Sequence, residues 1–392
     1  MDSEIEQVNS ESQLRPNLLE LTLYFLKLGA TGFGGPVALS NYMQRDLVMK
    51  RGWISQEEYV EGFALAQLAP GPLAAQLAIY LGWVRYRVLG ATLVGIAFVL
   101  PSFLMCVALA VAYIKFGRLQ WLQSLFYSIG AAVIGIIVNS AYKLVRRTVG
   151  KDYVLFSVWA MSALVTAWLE TEVLWLFLAA GIFVLILKGA FKWRAGNAAF
   201  FLLFPAWTFS GATGVASTTG TLWNIGVYFT KAGAFVFGSG LAIVPFLHSG
   251  VVQQYQWLNE KQFIDAVAVA MITPGPVVIT VAFIGYLVAG LAGATTAALG
   301  TFLPCYLLTV IPAPYYSRIA RYPSVKIFVE GVTAAAIGTI AGATWVLGKR
   351  AIIDAPTAVI AFVTLLLVLK TKIPEPLLIL AAGGVGFLLK GV

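Results

Sequence analysis

The sequence predicts an all-α polytopic integral membrane protein made of two inverted-topology repeats with broken or re-entrant helices. Three observations predict it: the composition, a series of apolar stretches of membrane-spanning length, and a long internal repeat. Of 392 residues, 60% are hydrophobic and only 11% charged, and the mean hydropathy is +0.86. Soluble globular chains do not reach those values, so lipid is the solvent for most of this one. Apolar stretches of roughly 17 to 25 residues recur from Leu19 almost to Val392, and a stretch of that length crosses a ~30 Å hydrocarbon core as a helix. They are continuous rather than alternating, which argues against a β-barrel.

Taken in order, residues 1–18 form a polar, acidic tail with Asp2, Glu4, Glu6 and Glu11. It lacks the basic and apolar regions of a signal peptide, and its expected place is the cytoplasm. Apolar segments follow at about 19–43, 57–82, 89–114, 122–142, 153–169 and 173–188, then a linking segment within 196–221, then six counterparts, about 13 in all. The first repeat is assigned to residues 19–195 and the second to 222–392.

The repeat is read directly. Phe25-Leu-Lys-Leu-Gly-Ala-Thr-Gly-Phe-Gly34 returns as Phe229-Thr-Lys-Ala-Gly-Ala-Phe-Val-Phe-Gly238, an offset of 229 − 25 = 204. At that offset Trp53 meets Trp257, Glu61 meets Asp265, and Pro70-Gly71-Pro72 meets Pro274-Gly275-Pro276. After one deletion the offset is 203, pairing Gly82 with Gly285, Leu100-Pro101 with Leu303-Pro304, and Arg147 with Arg350. Seven segments separate the two starts, and an odd number sends the copies into the membrane from opposite sides, an arrangement typical of transporters. The basic loops shift accordingly. Arg85 and Arg87 follow the second segment of the first copy, while the counterpart loop near Val288 to Gly293 is uncharged; one loop later Arg318, Arg321 and Lys326 outnumber Lys115 and Arg118. The positive-inside rule then puts the N-terminus in the cytoplasm and the C-terminus outside. Arg45, Lys50 and Arg51 fit only if the first two segments re-enter, and the choice between spanning and re-entry stays open.

Several functions are excluded or disfavoured. The net charge of +9 is spread over short clusters between apolar stretches rather than along one face, so nucleic acid is not the expected partner. Two cysteines, Cys106 and Cys305, and the single His248 make no metal-binding cluster. No Walker motif, cofactor motif or pairing of nucleophile with base is present, so neither ATP hydrolysis nor an enzyme activity is expected.

The chemistry is expected at four Gly/Pro breaks inside apolar segments: Gly34-Gly35-Pro36, Pro70-Gly71-Pro72, Gly238-Ser239-Gly240 and Pro274-Gly275-Pro276. Non-helical backbone at membrane depth needs protein, water or substrate as its partner. Pro36, Pro72 and Pro276 each stand where a new half-helix would begin. The N–H groups of such a start suit an anion. Lys27 and Lys231, equivalent by the offset, lie about eight residues, or ~12 Å, into their segments. A charge at that depth is costly, so a binding role competes with snorkelling. Gln67, Gln76, Thr273 and Thr280 are secondary candidates as hydrogen-bond donors, with helix pairing as the alternative. Glu61 and Asp265 are candidates for ion coupling, or else acids favoured at a helix start.

Phe33-Gly34-Gly35-Pro36, Leu65-Ala-Gln-Leu-Ala-Pro70-Gly71-Pro72 and Gln76-Leu-Ala-Ile-Tyr80 resemble the signature of the chromate ion transporter family. Phe237-Gly238-Ser-Gly240, Asp265-Ala-Val-Ala-Val-Ala-Met-Ile-Thr273-Pro-Gly-Pro276 and Phe302-Leu-Pro304-Cys-Tyr resemble the second domain of its long, two-domain members. The resemblance implies a plasma-membrane carrier that exports chromate and confers chromate resistance, with sulfate as the close analogue. Ala74-Ala75 stands where many members carry small hydroxyl residues, which leaves substrate preference open. A sulfate transporter or exchanger is the first alternative, an anionic-lipid flippase the alternative of another class, and a homodimer is left open.

Overall fold

The computed structural model describes residues 16–116, 119–169, 174–188, 218–235, 237–238, 243–316, 323–371 and 373–390. Most of the N-terminal tail, most of the linking segment, Ser239, Gly240, Arg318 and Arg321 lie outside the described residues.

Among the described residues there are fourteen α-helices, and they fall into two matching series of seven. The first series is α1 (Leu18–Thr31), α2 (Gly35–Met43), α3 (Gln56–Leu68), α4 (Leu73–Phe116), α5 (Gln120–Thr148), α6 (Tyr153–Leu169) and α7 (Leu174–Leu187). The second is α8 (Thr218–Phe235), α9 (Ile243–His248), α10 (Glu260–Ile272), α11 (Thr280–Val310), α12 (Pro323–Ala351), α13 (Ala355–Lys370) and α14 (Glu375–Lys390). Both α2 and α9 run on into a widened π-type turn, Gln44–Lys50 and Ser249–Gln254. Local chemistry sets the helix starts. The Asn17 side chain and Glu20 cap α1, Ser55 and Glu58 cap α3, and Asn259 and Gln262 cap α10, each as a reciprocal capping box.

Among the described residues, four helices are long and apolar enough to cross a membrane: Leu73–Phe116, Gln123–Arg146, Val277–Tyr315 and Pro323–Ala351. Two of them turn back on themselves. In α4 the helix breaks at Tyr86 and Arg87, and in α11 at Ala289 and Gly290, with Arg87 (φ 52°) and Gly290 (φ 60°) in the same left-handed turn. Gly82 then lies against the carbonyl of Gly90, and Gly285 against that of Gly293. Eight residues of unbroken helix would hold those atoms ~12 Å apart. Each element is therefore a helical hairpin, and glycine lets its arms meet backbone to backbone. The segment predicted at 57–82 is α3 plus the first arm of α4, interrupted at residues 69–72. The segment predicted at 19–43 is likewise α1 and α2, each too short for a ~30 Å core.

The helices sort into two bodies. Broken helices make one: α1 packs on α4, α8 on α11, and α4 on α11. A six-helix bundle makes the other, with α12 packed on α6 and α7, α5 on α13 and α14, and α5 crossing α12. Close approach in the bundle depends on small residues at equivalent places, Gly135 against the Ala361 carbonyl and Gly338 against that of Trp159. Phe25, Phe98, Phe229, Phe263 and Phe283 are fully buried in the broken-helix body. The outer faces of the bundle carry Leu164, Trp168 and Leu388 at 70%, 87% and 78% exposure, as a lipid-facing surface requires.

Candidate substrate site at the broken helices

The breaks meet across the two copies. Gly71 and Pro72 of the first copy run parallel with Phe237 and Gly238 of the second, a two-residue β-ladder, Gly71 opposite Phe237 and Pro72 opposite Gly238. The reciprocal contact links Gly275 to the first copy: its N–H donates to the Gly32 carbonyl at 2.8 Å. Each PGP turn is thus held by the other copy's first break. Backbone groups that leave their own helix find partners here instead of facing lipid. The geometry demands glycine at both turn centres. Gly71 has φ 140° and Gly275 φ 94°, and a Cβ on Gly275 would collide with the Ser102 hydroxyl.

A small crevice opens between these turns, lined by Gly35, Pro36, Leu39, Pro72 and Ala74 of one copy and Gly275, Pro276, Val277 and Val278 of the other. Three helix starts border it. Pro36 is the second residue of α2 rather than its first. Pro72 precedes α4 by one residue, and Pro276 precedes a single 3-10 turn, Val277–Ile279, that leads into α11. First-turn N–H groups have no partner within their own helix, so this is positive ground without a charged side chain.

The polar candidates are used elsewhere. Gln76, fully buried, donates from Nε2 to the Pro70 carbonyl at 2.8 Å and so fixes the first PGP turn from inside, while its Oε1 is buried without a partner among the described residues. Thr273 donates to the Val269 carbonyl and Thr280 to that of Val277. Gln67 is exposed near the end of α3. Lys27 is exposed on α1, Lys231 is half-buried on α8, and neither lines the crevice. Glu61 and Asp265 are each the sixth residue of their helix, a turn past the capping boxes. Their surroundings differ: exposed Glu61 accepts from Tyr80 at 3.2 Å, whereas Asp265, 3% exposed, accepts from Tyr113 at 2.7 Å.

One pair of residues was not singled out from the sequence. Ser102, buried in α4, donates to the Pro274 carbonyl at 2.8 Å and leans on the Gly29 carbonyl at 3.3 Å, bridging the copies under the second PGP turn. At the 203 offset its equivalent is Cys305, buried against Gly71. The signal was available, since both follow the aligned prolines Pro101 and Pro304.

The Chromate transporter family model matches residues 19–185 and 223–387. The chain belongs to the chromate transporter family. A chromate transport protein of Cupriavidus metallidurans is 60% identical over 94% of this chain and 92% of its own length. A probable chromate transport protein of Synechococcus elongatus is 55% identical, covering 94% and 95%. An uncharacterized transporter of Methanocaldococcus jannaschii is 27% identical, covering 97% and 96%. No solved structure matches. Family membership and the long apolar helices together make the chain an all-α membrane protein, and the matched stretches include every described break.

Proposed function

We propose that this chain is a secondary transporter exporting chromate across the plasma membrane, and thereby a chromate-resistance determinant. The two copies, residues 19–195 and 222–392, are antiparallel, about thirteen segments cross or re-enter, the N-terminus is cytoplasmic and the C-terminus outside. The carrying observation is that helix starts from both copies border one crevice at the breaks. A tetrahedral dianion is held there by first-turn backbone N–H groups of the half-helices that follow the Gly34-Gly35-Pro36, Pro70-Gly71-Pro72 and Pro274-Gly275-Pro276 breaks, with Gly238 closing the ladder from the second copy. Lys27 and Lys231 supply positive potential along the approach, while Gln67, Gln76, Thr273 and Thr280 shape the turns or their rims.

Direction follows from charge. Each elementary charge crossing 100 mV gains about 2.3 kcal/mol, so a dianion leaving a cell negative inside gains about 4.6 kcal/mol. Export then needs neither ATP nor a coupled ion. In proteoliposomes, an imposed potential without a pH gradient should drive net chromate movement towards the positive side. Transport that ignores the potential and follows a proton gradient or a counter-anion contradicts this reading and makes Glu61 and Asp265 coupling groups. Sulfate has the same shape and charge, and its ability to compete with labelled chromate in everted vesicles measures how far the site separates the two.

A further inference from the structure

Within the broken-helix body the two copies pack alike, and within the bundle they pack alike; where the bodies meet, they do not. On the second copy's side, α10 is covered by α5 and α14. Lys261 Nζ donates to Gln123 Oε1 at 3.3 Å, the Ile264 side chain sits on Gly130, and Asp265 accepts from Tyr113. Its first residue, Glu260, is clamped by His248 at 2.7 Å and by Arg350 at the end of α12. On the first copy's side, α3 packs chiefly on α4 of its own copy. Its outer face is open: Glu57 and Glu61 are exposed and Val60 is 52% exposed.

The repeat register says what belongs on that face. Lys261, Ile264 and Asp265 correspond to Glu57, Val60 and Glu61 at the 204 offset, and Gln123, Gly130 and Tyr113 correspond to Lys326, Thr333 and Tyr316 at the 203 offset. The missing contact is therefore α3 on α12, in which Glu57 meets Lys326 and Val60 meets Thr333. The chemistry suits it. Glu57 and Lys326 are opposite charges, both exposed. The Glu260 clamp has a neutral counterpart too, since Gln44 donates to Gln56 at 3.4 Å in the positions of His248 and Glu260.

We infer that the exposed face of α3 is a docking surface for α12, occupied when the bundle rocks across the broken helices and releases α10. The structure is one end state, closed over α10, and the docked α3 face defines the other. Rocking around a fixed central crevice opens it alternately to the two sides of the membrane. This rests on the antiparallel reading of the two copies.

The test uses two cysteine pairs in the full-length transporter in native membranes, with Cys106 and Cys305 left in place because both are buried. Gln123→Cys with Lys261→Cys reports the state described, and Glu57→Cys with Lys326→Cys reports the inferred one. Both pairs should be joined by a short bifunctional thiol reagent, each cross-link should arrest chromate uptake into everted vesicles, and added chromate should move the two yields in opposite directions. As a second measurement, Glu57→Lys should slow transport about threefold, and adding Lys326→Glu should restore it, as expected for an exposed ion pair. Absence of the 57–326 cross-link at every chromate concentration, or yields that rise and fall together, overturns the docking proposal. Should Val88→Cys and Leu291→Cys instead label from the same membrane face, the antiparallel reading beneath it falls.

Discussion

Ser102 shows how one hydroxyl serves two copies of the chain. The Gly29 carbonyl is among the last of α1 and has no partner within that helix, and the Pro274 carbonyl belongs to a turn. Replacing Ser102 with Ala strands both in the interior, at a cost of about 1–3 kcal/mol for a buried group left unpaired. The turn that presents Gly275 and Pro276 to the crevice then loosens. We expect Ser102→Ala to raise KM for chromate more than it lowers the maximal rate, and Ser102→Thr to recover most of the loss. An unchanged KM alongside a lower melting temperature would reduce Ser102 to a packing role. The lysines pose the complementary question, because distance along a segment reveals depth but not facing. Lys27→Gln and Lys231→Gln should both weaken transport at low substrate, and unequally, since one side chain is exposed and the other half-buried. Parental rates in both variants would make them snorkelling residues. The sequence exposed these residues because charge and proline are conspicuous in apolar segments; Ser102 was overlooked because a serine in a helix is not.

At the scale of elements, the hairpins α4 and α11 carry the same turn with different residues. Arg87 occupies φ 52°, ψ −140°, where its equivalent is Gly290 at φ 60°, ψ −150°. A residue with a side chain pays of order 1–3 kcal/mol in such a conformation. Arg87 recovers part of it by lying over the Trp83 ring, 4.5 Å from its centroid. Arg87→Gly should therefore raise the melting temperature in detergent, while removing one of the basic residues on which the proposed orientation rests. A lower melting temperature would mean that stacking outweighs strain. The positions of the breaks were legible because Gly and Pro interrupt apolar runs. Their partners were not: nothing in the spacing of Gly71 and Phe237 announces that they pair across copies, a consequence of how α1, α4, α8 and α11 pack. The capping boxes at Ser55 and Asn259 also displaced Glu61 and Asp265 from the helix-start role that their sequence positions suggested.

The whole molecule is two interlocked copies. Gly29 abuts the Phe98 carbonyl as Gly233 abuts that of Thr301, and Phe98 and Thr301 are themselves equivalent. Register in the sequence therefore survives as register in space. The crevice lies between the copies, so its symmetry and its access depend on how they are oriented in the bilayer. Val88 and Leu291, equivalent residues at the two hairpin turns and 56% and 60% exposed respectively, are placed to report that orientation directly. Single Val88→Cys and Leu291→Cys variants can be treated with a membrane-impermeant thiol reagent in intact cells and in everted vesicles. Leu291→Cys should react in intact cells and Val88→Cys only in everted vesicles; reaction of both from one face contradicts the antiparallel arrangement of the two copies.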